Sequence, residues 1–385
     1  MNAGARRLRV LHVVYRFDIG GLENVIVQLI NRLPAERFEH VVLSLTTVSD
    51  FRQRVEREGV RFIALDKPPG HALKQYPAIW RLLREIRPDV LHSCNLAPLE
   101  VVPVAWAAGV PWRVHVEHGW DAHDPQGQSA KYRWLRRAYA PFVSRFVSVS
   151  ADLDRYLGEA VGVPETKRHL IGNGVDTRRF SPGPAPAIEG CPFEPGRHWL
   201  VGTVGRLMTV KNQPLLARAF VRWLRERPEL AARARLVIVG EGGLRAEVER
   251  VLDEAGLRAL AWLPGARSDV AAILRALDVF VLPSQAEGTS CTLQEAMASA
   301  RPVLATAVGG TPDVFEDGVS GLLVPSDDEA AMARALNRLH DDAPFAQGLA
   351  RAARERAEQH YSIDRMVDAY AALFARAAAP RLQVA

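Results

Sequence analysis

The run Pro283-Ser284-Gln285-Ala286-Glu287-Gly288-Thr289-Ser290-Cys291-Thr292-Leu293-Gln294-Glu295-Ala296-Met297-Ala298 holds two carboxylates, Glu287 and Glu295, with seven residues between them. An ionised carboxylate accepts paired hydrogen bonds from two adjacent hydroxyls, so a pair at this spacing suits two sugars flanking a diphosphate. Gly288 and Thr289 offer unhindered amides at a helix start. Helix capping by an acid accounts for Glu287 but not for Glu295, which sits among Leu293, Ala296 and Met297 and so needs a partner. Upstream, Arg206 and Lys211 fall between an apolar run and the amphipathic stretch Pro214–Leu224. Two cations converging with a helix N-terminus invite a diphosphate, and a pair of solvated surface charges explains the same residues.

Two signals in the first half are weaker alone. Gly20 and Gly21 stand between an apolar run and the amphipathic Asn24–Leu33, where paired glycines let backbone amides approach a ligand; a tight turn with no ligand explains them equally well. Their spacing is not G-x-G-x-x-G, which lowers a nicotinamide-cofactor reading. His118, in Val116-Glu117-His118-Gly119-Trp120-Asp121, would offer a hydrogen bond or a positive charge to a reacting group, while a satisfied loop or core histidine is the plainer explanation. Asp152-Leu153-Asp154 is the best-formed Asp-x-Asp, but it follows Ser150 in a helical stretch and reads as capping with a solvated face. No metal site is expected.

The elements that must hold these residues are legible from hydropathy. Short apolar runs at Arg9–Val14, Val41–Leu45, Arg61–Leu65, Val90–His92, Arg113–Glu117 and Phe146–Ser150 alternate with amphipathic stretches. Continuous rather than alternating apolarity means burial on both faces, as in a parallel sheet between helix layers. A Pro/Gly-rich segment at 181–197 reads as a linker, after which the rhythm restarts at Leu200–Val204, Arg235–Val239, Ala261–Leu263, Val279–Leu282, Pro302–Thr306 and Gly321–Val324. The expectation is α/β: two Rossmann-like doubly wound domains facing a central cleft, 1–180 and 198–360, with 361–378 a helix crossing back to the first. Ligands of such sheets bind outside the carboxyl ends of the strands, where the candidate residues fall.

Length and charge narrow the classes. The chain of 385 residues is long enough for two cores, its charged fraction of 24% is globular, and no apolar run reaches membrane-spanning length. Residues 1–180 carry a net charge of +7 and the remainder −2. A basic half suits an anionic surface or phosphorylated ligands. The N-terminus lacks a secretory h-region, so a cytoplasmic location is expected. Cys94, Cys191 and Cys291 are too dispersed for a disulfide framework and read as buried thiols.

The Glu-x7-Glu stretch, the Gly-Arg-x4-Lys segment, the Gly-Gly-x-Glu turn, His118-Gly119 and Gly172-Asn173-Gly174-Val175-Asp176 occur in an order that resembles the family-4 retaining glycosyltransferases of GT-B fold, over Val10 to about Phe374. Glu117–Asp121 with Lys131–Arg137 is similar to the branch associated with exopolysaccharide clusters of the exosortase/PEP-CTERM type. The resemblance implies a sugar transfer from a nucleotide-diphosphate-sugar to a glycan or lipid-linked acceptor, with retention and without a metal. It implies that Arg206 and Lys211 clamp the donor diphosphate, that Glu295 binds the ribose hydroxyls, and that Glu287, Gly288 and Thr289 hold the donor sugar and distal phosphate. Gly20 and Gly21 would approach the diphosphate or the acceptor, His118 would lie near the transferring sugar, and Arg267 near the base. Asn173–Asp176 reads as structural.

Two further stretches bear on partners. Tyr361–Ala378 carries an apolar stripe at Met366, Val367, Tyr370, Leu373 and Phe374 that seeks a packing partner. Lys131–Phe146 mixes basic with aromatic residues, which suits a helix in an anionic lipid interface at the inner face of the membrane, or an ordinary packed helix with a solvated Arg face. Nucleic acid is not an expected partner. The rival functions are a GT-B-shaped nucleotide-sugar epimerase, which needs a second acid/base set, and a non-catalytic nucleotide-sugar-binding protein, which intact Arg206, Lys211, Glu287 and Glu295 argue against.

Overall fold

The structure, a computed structural model, describes residues 6–121, 124 and 127–378, so the first five residues of the N-terminal stretch lie outside the described residues. The chain divides into two compact units, one running up to Asn173 and resuming at Asp364, the other spanning Gly174–Ile363.

The first unit is built on seven strands: β1 (Leu8–Val14), β2 (Phe38–Ser44), β3 (Arg61–Ala64), β4 (Val90–Cys94), β5 (Trp112–Glu117), β6 (Arg145–Ser148) and β7 (Arg168–Leu170). They pair in parallel in the order β3-β2-β1-β4-β5-β6-β7, with β1 and β2 in register from Leu8↔Phe38 to Val14↔Ser44. The central strands carry the longest apolar runs because helices cover both faces; β3, at an edge, is half-exposed. The strand β7 escapes hydropathy reading: Arg168, His169 and Leu170 are only partly covered.

The second unit repeats the plan with β8 (Trp199–Val204), β9 (Ala234–Val239), β10 (Ala261–Gly265), β11 (Val279–Leu282), β12 (Val303–Thr306) and β13 (Leu322–Val324), all parallel in the order β10-β9-β8-β11-β12-β13. In each sheet the order reverses once, between β1 and β4 and between β8 and β11. Loops leaving those strand pairs diverge to opposite faces and open a crevice at their carboxyl ends.

Two boundaries differ from the sequence reading. The units part at Asn173 rather than in 181–197, because Phe180, Ile188 and Phe193 are buried in the second unit's core and hold that Pro/Gly stretch to it. Lys131–Phe146 is not one helix: it comprises the helix Ala130–Tyr139, a short turn at Ala140–Phe142 and the start of β6. The helix Ile363–Ala375 opens beside the first crossing, since the Val175 amide donates to the Tyr361 carbonyl and the Ile363 amide to that of Val175. From Asp364 it belongs to the first unit, where Tyr370 and Phe374 pack on His92 and Phe374 also meets Phe38.

Candidate active site

In the second unit the candidate residues gather at the switch point. Arg206 and Lys211 follow β8 and Glu287 follows β11. The Lys211 ammonium donates to Glu287 Oε1 at 2.6 Å, and the Ser284 hydroxyl donates to the same oxygen at 2.5 Å. Glu287 is buried and Lys211 is a quarter exposed, so the pair holds its geometry while leaving the cation reachable. The backbone ties the two loops together, the Gln285 amide donating to the Val210 carbonyl at 2.8 Å. Arg206 is exposed, and among the described residues its guanidinium has no ion-pair partner. Its carbonyl accepts from Gln213 Nε2 at 3.0 Å, which fixes the loop against the first turn of the helix Gln213–Glu226. That helix presents its N-terminus, the positive end of its dipole, to the same loop.

Glu295 lies half-buried in the helix Cys291–Ala298, which begins at Ser290, whose hydroxyl accepts from the Leu293 amide. Gly288 and Thr289, just before it, are buried. Arg267 is committed elsewhere: it grips Asp269 with two hydrogen bonds of 2.8 and 2.7 Å and stacks over Trp262.

Two glycine turns that sequence reading passed over shape this site. Gly309 sits after β12 with φ of +49°, and a Cβ there would collide with the Glu287 carbonyl, which accepts from the Gly310 amide at 3.1 Å. Gly242, after β9 with φ of +151°, is pressed onto the Leu207 carbonyl, and the neighbouring Glu241 carbonyl accepts from the Leu207 amide at 2.8 Å. The signal that identified Gly20-Gly21, paired glycines between strand and helix, is present at both. Asn212, in the left-handed region, hands its amide to Asp327 at 2.7 Å and closes the loop from the other side.

In the first unit, Gly20 and Gly21 open the helix Gly21–Arg32 after β1, with the Asn24 amide donating to the Gly20 carbonyl. His118 follows β5. Its amide donates to Asn95 Oδ1 at 2.8 Å, and Asn95, in the left-handed region at the end of β4, is a positioning residue that sequence reading missed. Both ring nitrogens of His118 are buried and have no hydrogen-bond partner among the described residues. Burial lowers its pKa to about 4, with the Glu117 carboxylate pulling upward and His115 downward. The ring is therefore neutral near pH 7, so it offers a hydrogen bond and not the positive charge that the sequence left open.

Glu117 and Arg136 form a buried bidentate pair at 2.6 and 3.0 Å. Arg136 and the His115 hydrogen bond hold the Glu117 carboxyl far below the usual carboxylate range despite the opposing cost of burial. Arg136 thus leaves the exposed basic set of its helix, and Arg137 donates to the Val161 and Ala160 carbonyls. Lys131 and Trp134 remain exposed. Asp154 of the Asp-x-Asp pairs with Arg168 and accepts from Ser148, and Ser150 accepts from the Leu153 amide as a helix cap.

Residues 19–179 match Glycosyltransferase Family 4, and residues 199–342 match Glycosyl transferases group 1. The chain is 28% identical over 360 residues to the Escherichia coli UDP-Gal:alpha-D-GlcNAc-diphosphoundecaprenol alpha-1,3-galactosyltransferase, covering 89% of this chain and 90% of that protein. It is 28% identical over 381 residues to the D-inositol 3-phosphate glycosyltransferase of Streptomyces scabiei, covering 89% and 84%. Anabaena HepE, solved with UDP and glucose, superposes with a TM-score of 0.80 at 19% identity over 95% of this chain and 99% of its own. The chain is a glycosyltransferase of GT-B fold, related to glycosyltransferase family 4 and the group 1 glycosyl transferases.

Proposed function

We propose that this chain moves a sugar from a nucleotide-diphosphate-sugar to a glycan or lipid-linked acceptor in bacterial exopolysaccharide or cell-envelope biosynthesis, with retention of anomeric configuration and without a metal at the diphosphate. The observation that carries the reading is the Lys211–Glu287 pair at the switch point of the second sheet, backed by the Gly309 turn. A diphosphate-linked lipid appears in the name of the E. coli relative, which supports a lipid-linked acceptor. The narrower exosortase-associated assignment rests on the Glu117–Asp121 and Lys131–Arg137 segments, which the Glu117–Arg136 pair joins.

Transfer breaks the bond between the anomeric carbon and the distal phosphate oxygen, builds negative charge on the departing nucleoside diphosphate and forms a bond to the acceptor oxygen. Arg206, Lys211 and the helix N-terminus at Gln213 meet that charge with donors already in place. Glu287, with Gly288 and Thr289, holds the donor sugar and distal phosphate; Glu295 holds the ribose hydroxyls. The departing diphosphate takes the acceptor proton, the route that same-face attack requires. His118, neutral, hydrogen-bonds the transferring sugar; Gly20 and Gly21 serve the diphosphate or acceptor; Arg267 would serve the base only after releasing Asp269. The exposure of Lys131 and Trp134 supports a contact of the helix Ala130–Tyr139 with an anionic membrane at its inner face. Among the described residues no helix is long and apolar enough to cross a membrane.

Nucleoside diphosphate release measured with and without acceptor tests the reading. Acceptor-dependent release is the expected outcome. Conversion of the donor sugar without any acceptor would point to the epimerase instead.

A further inference from the structure

We propose that His92, Cys94 and His118 bind a single transition-metal cation of the zinc class, with His12 orienting His92. The ligand atoms of the three residues all lie within 4.8 Å of one another. Residues 92 and 94 share a face of β4 through the two-residue period, and His118 enters from just beyond the adjacent β5. Cys94 Sγ lies 3.8 Å from His92 Nε2. Tetrahedral zinc, with bonds of about 2.3 Å to sulfur and about 2.0 Å to nitrogen, sets such donors about 3.5 Å apart, so a small side-chain adjustment completes the site.

The surroundings are those of a built site. Both nitrogens of His118 are buried without a partner, a costly state that a bound cation would relieve. His92 engages His12 through its Nδ1 at 2.8 Å, which leaves Nε2 as its ligand atom, with Cys94 Sγ 3.8 Å from Nε2 and 3.9 Å from Nδ1, and His12 in turn meets His40 at 3.0 Å. A histidine ligand held through its second nitrogen is oriented and kept in one tautomer. Imidazole and thiolate donors select a zinc-class ion over calcium or magnesium. Burial keeps the Cys94 thiol protonated, with the charge of Glu23 adding to the effect, so binding releases one proton to solvent as the sulfur–metal bond forms. Three protein ligands leave a fourth position for water. The cation would also withdraw His118 from the transferring sugar and shut off transfer; that consequence, unlike the site itself, rests on the function proposed above.

The test is a Co2+ titration of the chelator-treated full chain. One tetrahedral Co2+ per chain with a thiolate charge-transfer band, displaced by Zn2+, is expected. Cys94→Ala should lose that band, and His12→Phe should keep it while weakening affinity about 10- to 100-fold. An octahedral wild-type spectrum without a thiolate band overturns the site whether or not the variants fold, and so does a band that persists in folded Cys94→Ala. Transfer assayed in parallel with one equivalent of Zn2+ should fall; full transfer with zinc demonstrably bound overturns the shut-off and leaves the site standing.

Discussion

Lys211 faces two demands, since in the free protein it neutralises buried Glu287 and in the proposed reaction it meets a diphosphate. Lys211→Ala should lower kcat/KM for the donor by about 10²- to 10³-fold, the usual cost of removing one preorganised charge-stabilising group. Glu295→Ala should impair donor use as well, and steady-state kinetics with thermal melts separates either effect from unfolding. Normal donor kinetics in both would contradict the assignment. Arg136→Ala should act on stability instead: it strands buried Glu117 and costs about 3–5 kcal/mol, read from urea denaturation. Buried His40 carries a pH signature. Desolvation, then Arg57 and His92, lower its pKa to about 3, while the unfolded chain titrates at 6.5. Below pH 6.5 the unfolded state binds a proton that the folded state refuses, so metal-free protein should lose about 1.4 kcal/mol per pH unit at this group as pH falls toward 3, with no further loss below. Melts between pH 7 and 4 measure it; a flat profile would contradict it.

At the scale of the element, the loops owe their shape to residues without side chains. Gly309→Ala and Gly242→Ala each place a Cβ against a carbonyl at positive φ, whereas Gly243 has open space around it. The first two should cost about 1–3 kcal/mol and depress donor use; Gly243→Ala should change stability by less than about 0.5 kcal/mol. Equal effects in all three, by thermal melts and donor titration, would refute this account of the loops. The same contrast explains what the sequence disclosed. Twelve apolar runs were visible because parallel strands buried on both faces have a continuous signature, whereas β7, with Arg168 and His169, has none. Lys211 and Glu287 stood out as charges next to buried strands, but the contact between them spans 76 positions and only the sheet order creates it. Burial of Arg136 was illegible for the same reason: its partner Glu117 lies 19 positions away on a strand, so Arg136 read as one more member of a solvated Arg face.

Across the whole molecule the two units share one plan, parallel sheets with a single reversal, but differ in charge and in what their switch points hold. The second gathers a cation, an acid and glycine turns suited to an activated sugar; the first carries the surplus of positive charge, which suits the anionic lipid or lipid-diphosphate acceptor proposed above. Trp134, 65% exposed, should contribute to that contact, so Trp134→Ala should weaken binding to anionic vesicles and leave donor affinity unchanged. The central claim is that the Lys211–Glu287 locus binds a nucleotide-diphosphate-sugar. Thermal melts of wild type and Lys211→Ala across UDP-, GDP- and ADP-sugars test it most directly, because a ligand at 100 times its Kd adds about 2.7 kcal/mol of stability. At least one sugar nucleotide should raise the wild-type Tm and fail to raise that of Lys211→Ala; equal shifts in both proteins, or none in the wild type with any donor, would contradict it.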